Sequence, residues 1–88
     1  MRKEMYPAVF STDGENGYTV SFPDLLGCVT EGDTLCEAVE MAEDALGIYL
    51  YSLSEDGEDF PKASNPIDIK CNEGEFIDLV KWDEEEYK

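Results

Sequence analysis

One stretch of the chain has the periodicity of a long amphipathic helix, and this stretch limits what the rest can form. Between Asp33 and about Leu53, apolar residues recur three and four positions apart, as one face of an α-helix requires. Thr34, followed three residues later by Glu37, is a capping box that marks the start of the helix. The apolar stripe consists of Leu35, Ala38, Val39, Ala42, Leu46, Tyr49, Leu50 and Leu53. A single apolar stripe of this length can be buried against one face of a single β-sheet, so an α+β domain is expected.

Short segments on both sides of this helix have the alternating pattern of β-strands. Residues 5–12 and 17–22 alternate, and Asp13-Gly14-Glu15-Asn16-Gly17 between them contains two hairpin dipeptides. Further strands are predicted at residues 27–31, 67–71 and 76–82. Proline has no N–H to donate to a neighbouring strand. We therefore expect either that the first strand lies at an edge of the sheet or that Pro7 lies at the start of that strand. The predicted order is β-β-β-α-β-β, with one helix packed on one face of a mostly antiparallel sheet.

Acidic residues greatly outnumber basic ones, and this limits the possible partners. The 88 residues, enough for one domain, include 22 Asp and Glu but 6 Lys and Arg, giving a net charge of −16. Between Glu4 and Pro61 there is no Lys or Arg. Such a chain repels the phosphates of DNA and RNA, so direct nucleic-acid binding is not expected. The charge favours a basic protein as partner, although a merely solvated acidic surface would have the same composition.

Missing residue types exclude most catalytic sites. The chain has no His, so nucleophile–histidine sites cannot form, and its glycines follow no phosphate-binding pattern. No cofactor or metal is therefore expected. The alternative is a metal-dependent nuclease in which Asp24 and Glu31, together with Asp13 and Glu37, hold divalent ions.

The cysteines and the N-terminal residues indicate the cellular location. Cys28, Cys36 and Cys71 are an odd number at no metal-binding spacing, which is typical of reduced thiols. Residues 1–7 lack the apolar core of a secretory signal, and no segment is apolar enough to span a membrane. A cytoplasmic protein without membrane contact is expected.

Several short motifs, taken together, resemble the HicB antitoxin family. The motifs are Tyr6-Pro7-Ala8-Val9-Phe10, Gly17-Tyr18, Phe22-Pro23-Asp24-Leu25-Leu26-Gly27-Cys28, Gly32-Asp33-Thr34, Glu37-Ala38 and Glu43-Asp44-Ala45-Leu46. The resemblance covers most of residues 6–53 and continues more loosely through the last predicted strands. Leu26 occupies a position where family members commonly have Pro.

The resemblance implies a small, partial ribonuclease-H-like fold without the catalytic acids of that enzyme, and hence no enzymatic activity. HicB-like proteins bind and neutralise HicA, a small basic toxin that cleaves mRNA. Residues 1–88 would then form a single HicB-like toxin-binding domain. Family members usually also carry a C-terminal DNA-binding segment, which is absent from this chain, so operator binding is not assigned to it.

Charge placement, and not a family motif, suggests which residues contact the toxin. The candidates are the acidic residues Glu31, Glu37, Glu40, Asp44, Glu55 and Asp56 and the aromatic residues Tyr51 and Trp82, both expected to be exposed; a further aromatic candidate, Tyr49, is expected to pack in the core. A generic acidic binding module, or a nucleic-acid mimic that occupies another basic protein, is the alternative to a HicA-like partner. An edge strand at residues 5–12 could also pair with a second copy, which would give a homo-oligomer.

Overall fold

The computed structural model describes residues 3–12, 14–15 and 17–84, which form one sheet and one long helix. The strands are β1 (Lys3–Thr12), β2 (Tyr18–Ser21), β3 (Val29–Gly32) and β4 (Glu75–Asp83), and the helix is α1 (Leu35–Glu55). Within the described residues the strands lie in the order β3-β2-β1-β4, and each neighbouring pair is antiparallel. The predicted α+β class, with one helix on an antiparallel sheet, is confirmed.

β1 and β2 form the predicted hairpin. Their pairing begins with Thr12 opposite Tyr18, directly beside the turn. The Thr12 hydroxyl accepts a hydrogen bond from the Gly14 N–H at 3.0 Å and donates one to the Gly17 carbonyl at 2.9 Å. Asp13 and Asn16, which complete the two hairpin dipeptides, lie outside the described residues.

β1 is not an edge strand, so that prediction is wrong. It lies between β2 and β4. The Thr12 N–H donates to the Gly74 carbonyl on the β4 side at 3.0 Å. Because backbone groups alternate in direction along a strand, the N–H and C=O groups of the odd-numbered residues of β1 point towards β2. β2 ends opposite Val9, and Pro7 therefore lies in β1 without removing a ladder hydrogen bond. Self-pairing along the whole of β1 is not expected.

α1 begins with the predicted capping box. The Thr34 hydroxyl accepts the Glu37 N–H at 3.1 Å, and the Glu37 carboxylate accepts the Asp33 N–H at 3.0 Å. Leu35, which the periodicity assigned to the apolar stripe, lies in the first turn and is 43% exposed. In the described part of the chain, no helix is both long and apolar enough to cross a membrane.

The core lies between one face of the sheet and the apolar stripe of α1. Tyr6, Ala8 and Phe10 alternate along β1 and are fully buried. Ala38 and Ala42 let the helix approach the sheet closely because their side chains are short. The other buried residues of the core are Val20, Phe22, Leu25, Cys28, Leu46, Leu50, Val80 and Trp82.

The prediction of a strand at residues 67–71 is wrong. A 3-10 helix, Pro66–Asp68, occupies this region, and the Asn65 side chain caps it by accepting the Ile67 N–H at 3.1 Å. Proline suits the first position of a helical turn because it has no N–H to lose there. Ile67 is 85% exposed, so this apolar residue, whose position in the alternation suggested a strand, does not pack on the sheet.

Two contacts hold the residues that precede this turn against the core. The buried Tyr6 donates its hydroxyl to the Pro61 carbonyl at 2.6 Å. Phe60 meets the ring of Trp82 edge-on, with the ring centroids 5.5 Å apart. The segment between α1 and β4 is therefore ordered by the side chains that it packs on, although it is not part of the sheet.

Candidate protein-binding surface

Seven exposed residues form one strip along the solvent side of α1, which we call the outer face of α1. The strip consists of Glu37, Glu40, Met41, Asp44, Ile48, Tyr51 and Glu55. Successive members recur mainly three or four positions apart, so they lie one above the other on the helix surface. All but Met41 and Ile48 were predicted to contact a partner, so the structure brings most of the predicted residues onto one surface.

Met41 and Ile48 are the members of this face that the sequence reasoning missed. They are 40% and 61% exposed, and Tyr51 beside them is 54% exposed. The signal in the sequence is that both are large apolar residues outside the core stripe. The solvent side of an amphipathic helix is usually polar, so apolar residues there indicate a contact surface. They give the outer face an apolar middle with acidic residues around it, which is the composition of a protein–protein interface.

Acidic residues also stand at the C-terminal end of α1, where they oppose the helix dipole. Glu55 is the last helical residue, and Asp56 is the C-cap, with its backbone N–H donating to the Ser52 carbonyl at 3.1 Å. No basic residue lies in the last turn. Negative charge is unfavourable at this end of a helix. Residues that lower the stability of the fold in this way often serve a function, so Glu55 and Asp56 both remain candidates for partner binding.

The predicted residue Glu31 lies on β3, next to the outer face of α1. Glu31 and Val29 line a shallow depression together with Met41 of the helix. A second depression, of about 270 Å³, lies between Val29 and the helix residues Ile48 and Tyr49. Tyr49 is half-buried and packs against the core, as expected. β3 and the outer face of α1 therefore form one continuous surface.

Trp82 does not belong to this surface, and the prediction that it is exposed is wrong. It is 6% exposed and lies in β4 opposite Glu4. Val80 and Trp82 are two positions apart in a strand, so they point to the same face, and that face is the core. This alternation was the signal in the sequence that should have placed Trp82 inside.

Asp24, Glu31 and Glu37, the proposed nuclease acids that lie in the described residues, do not come together in a metal site. No group of three or more Cys, Asp or Glu side chains within residues 3–12, 14–15 and 17–84 is arranged to hold a metal ion. Asp24 has a different role, because its carboxylate accepts hydrogen bonds from the Ser64 N–H at 2.8 Å and the Ser64 hydroxyl at 2.5 Å. Asp13, a further candidate ligand, lies outside the described residues.

Of the three cysteines, Cys28 alone is buried. Its Sγ donates to the Ala45 carbonyl at 3.7 Å, while Cys36 and Cys71 are exposed. Burial raises the pKa of the Cys28 thiol, because desolvation disfavours the thiolate.

Iodoacetamide at about pH 8 should therefore modify Cys36 and Cys71 at least about tenfold faster than Cys28, since the exposed thiolate is the reactive form. Peptide mass spectrometry over a time course measures the three rates. Denaturing the chain in guanidinium should make the rates similar. Equal rates in the folded chain would contradict the burial of Cys28.

Comparison with known proteins shows what this architecture is similar to. The sequence profile of the HicB-like antitoxins of bacterial toxin–antitoxin systems matches residues 6–83. Antitoxin HicB of Escherichia coli K12 is 41% identical over 59 residues, which are 67% of this chain and 43% of that protein. The chain spans less than half the length of the curated HicB antitoxin sequences that it matches.

Solved structures give the same result for the fold. A chain of a toxin–antitoxin complex from Streptococcus pneumoniae superposes with a TM-score of 0.84 at 28% identity, covering 98% of this chain and 73% of that one. A chain of the HicA3 and HicB3 toxin–antitoxin complex superposes with a TM-score of 0.70 at 25% identity, covering 88% and 95%. With a family profile matched along nearly the whole chain and the same fold in these structures, the protein belongs to the HicB-like antitoxin family.

Proposed function

We propose that this chain neutralises a small basic toxin of the HicA type by binding it and covering the surface with which the toxin engages mRNA. The observation that carries the proposal is the outer face of α1, where exposed apolar residues are surrounded by acids. No Lys or Arg between Glu4 and Pro61 offsets their charge. The similarity to a chain of the HicA3 and HicB3 complex supports the choice of toxin class.

The two kinds of residue on this face would contribute differently to binding. Acidic side chains such as Glu40 and Asp44 would speed the encounter with a basic toxin through long-range attraction. The exposed apolar residues Met41, Ile48 and Tyr51 would supply affinity, because the burial of apolar surface slows dissociation. The protein would act in the cytoplasm, by binding and not by catalysis, and would not itself bind nucleic acid.

Co-expression with the product of the neighbouring gene, which the proposal expects to be a small basic toxin, tests the proposal. We expect the chain to restore growth to cells that produce this toxin and to purify with it as a complex. Failure to rescue growth, with both proteins present in the soluble fraction, would overturn the proposal.

Purified components separate inhibition from catalysis. Adding the chain in increasing amounts should stop cleavage of a labelled mRNA by the toxin once the two are equimolar. The chain alone, incubated with the RNA and Mg²⁺ or Mn²⁺, should leave it intact. RNA cleavage by the chain alone that disappears in Asp24→Asn would instead establish the nuclease alternative.

Reversing two charges on the outer face should slow toxin association. In the double variant Glu40→Lys and Asp44→Lys, we expect the association rate at low ionic strength to fall by about tenfold, because the variant repels a basic partner. The dependence of this rate on salt should also flatten. Stopped-flow or surface plasmon resonance measurements at several salt concentrations provide both quantities.

The double variant Glu58→Lys and Asp59→Lys is the matched control. It makes the same change in net charge at two exposed residues beyond the end of α1. Its association rate should decrease much less. If both double variants slow association equally, net charge governs the encounter and the outer face of α1 has no special part in it.

A further inference from the structure

β3 presents a backbone edge that no other strand in the described part of the chain covers. In the described residues the sheet order places β2 on one side of β3 and no strand on the other. Val29, in this strand, is 60% exposed, and Glu31 is exposed as well. An uncovered edge of this kind is a site where an extended segment of another chain can add a strand.

The hydrogen-bond pattern shows which groups of β3 point outward. The Phe22 N–H donates to the Cys28 carbonyl at 3.1 Å, immediately before β3 begins. In an antiparallel pair, residues alternate between facing the partner strand and facing away from it. Thr30 therefore faces β2, while the N–H and C=O groups of Val29 and Glu31 point away from the sheet.

The side chains around this edge define what could bind there. Val29 and Met41 provide apolar contacts on one side of the edge, and Val29 and Ile48 do so further along. Glu31, which lines the same depression as Val29 and Met41, supplies negative charge there. An added strand would therefore need apolar side chains together with Lys or Arg.

We propose that the toxin binds by adding an extended, basic segment to the outer edge of β3, in the groove between β3 and the outer face of α1. This inference rests on the proposed function and names the surface and the mode of contact. Main-chain hydrogen bonds to Val29 and Glu31 would fix the register. The acidic residues of α1 would then face the basic side chains of the toxin segment.

A second copy of the chain is the competing occupant, and its charge disfavours it. Two copies would each bring a net charge of −16 to the contact. In the antiparallel register that sets Glu31 opposite its own copy, the two carboxylates would also lie close together, and like charges on paired strands are destabilising. A basic partner removes both penalties.

Two pairs of variants test the proposal with the toxin that the wild-type chain binds. Val29→Arg places a positive charge and a bulky side chain at the edge, and should raise the Kd at least about tenfold. Leu79→Arg is its control, because Leu79 is also an exposed aliphatic residue, at 45%, but lies in β4. Its Kd should change less than about threefold.

The second pair separates the backbone contact from the charge. Glu31→Pro removes an outward N–H without removing a bond to β2, whereas Glu31→Gln removes only the charge. The proline variant should bind the toxin at least about tenfold more weakly than the glutamine variant. Thermal melting monitored by circular dichroism must show that each variant is folded.

The outcomes distinguish this inference from the proposed function. A wild-type chain that binds no HicA-type toxin would overturn both. Toxin binding that Val29→Arg leaves unchanged, or that Glu31→Pro and Glu31→Gln weaken equally, would overturn the strand addition alone. A wild-type dimer that Glu31→Pro dissociates, seen by light scattering, would show that a second copy occupies the edge.

Discussion

Replacing Gly32 by alanine should lower the free energy of unfolding by roughly 3 kcal/mol, because β3 and α1 meet there without room for a methyl group. A Cβ at Gly32 would lie 2.5 Å from the Ala38 nitrogen and 2.8 Å from the Ala38 Cα. Both are backbone atoms of the first turns of α1, so no side chain can turn aside to make space. The helix would have to move away from the sheet, which chemical denaturation would detect as a lower midpoint.

Gly57→Ala is the control for Gly32→Ala. Gly57 has a φ of +70° and nothing near the position of a Cβ, so alanine there meets only the strain of the left-handed conformation. That strain is about 1–2 kcal/mol. A Gly32→Ala variant no less stable than Gly57→Ala would show that β3 and α1 are not in close contact at this point.

Truncating Leu46 to alanine should be comparably destabilising, by about 2–5 kcal/mol. Leu46 lies in the middle of the helix stripe and is fully buried in the core. The substitution leaves a cavity that the close-packed neighbours fill only partly. In a domain of this size each kcal/mol lowers the melting temperature by roughly 4–8 °C, so calorimetry should show a large decrease.

Ile48→Ala provides the comparison on the same helix. Ile48 is 61% exposed on the outer face, so its truncation should change the free energy of unfolding by no more than about 0.5 kcal/mol. The same variant should weaken toxin binding if the outer face is the contact surface. A large loss of stability in Ile48→Ala would mean that Ile48 belongs to the core.

Local patterns in the sequence were sufficient for most of the fold. The capping box at Thr34 and Glu37 gave the start of the helix, because a helix end is stabilised by side chains that are close in sequence. The hairpin between β1 and β2 followed from turn residues in the same way. Alternation of Tyr6, Ala8 and Phe10 gave the buried face of β1.

Two of the errors concern properties that depend on residues far apart in the chain. Pro7 suggested an edge strand, but whether β1 is an edge depends on where β4 pairs, some seventy residues later. The alternation of Val80 and Trp82 indicates that both point to the same face of β4, but part of the cover over the Trp82 ring comes from the distant Phe60. The error at residues 67–71 is local, because Asn65 and Pro66 start the 3-10 helix Pro66–Asp68 where the alternation suggested a strand.

The candidate surface was predicted only in part, because some of its residues are aligned by the helix and others by the tertiary fold. Glu37, Glu40 and Asp44 lie on one side of a helix whose phase the apolar stripe fixes, so their alignment follows from the sequence. The position of Glu31 beside Met41 could not be predicted from local patterns. It depends on how the helix crosses β3 in three dimensions.

Because β1 pairs with β4, from Lys3 opposite Asp83 onwards, β1 can complete its pairing during translation only after β4 has left the ribosome. Until then a nascent chain can hold the hairpin and the helix, but the β4 side of β1 stays open to solvent and to other chains. A single proteolytic cut between α1 and β4 would likewise leave β4 attached only by non-covalent contacts. The sheet is thus complete only once β4 has been synthesised, and one cleavage in that segment would remove the covalent link between β4 and the rest of the sheet.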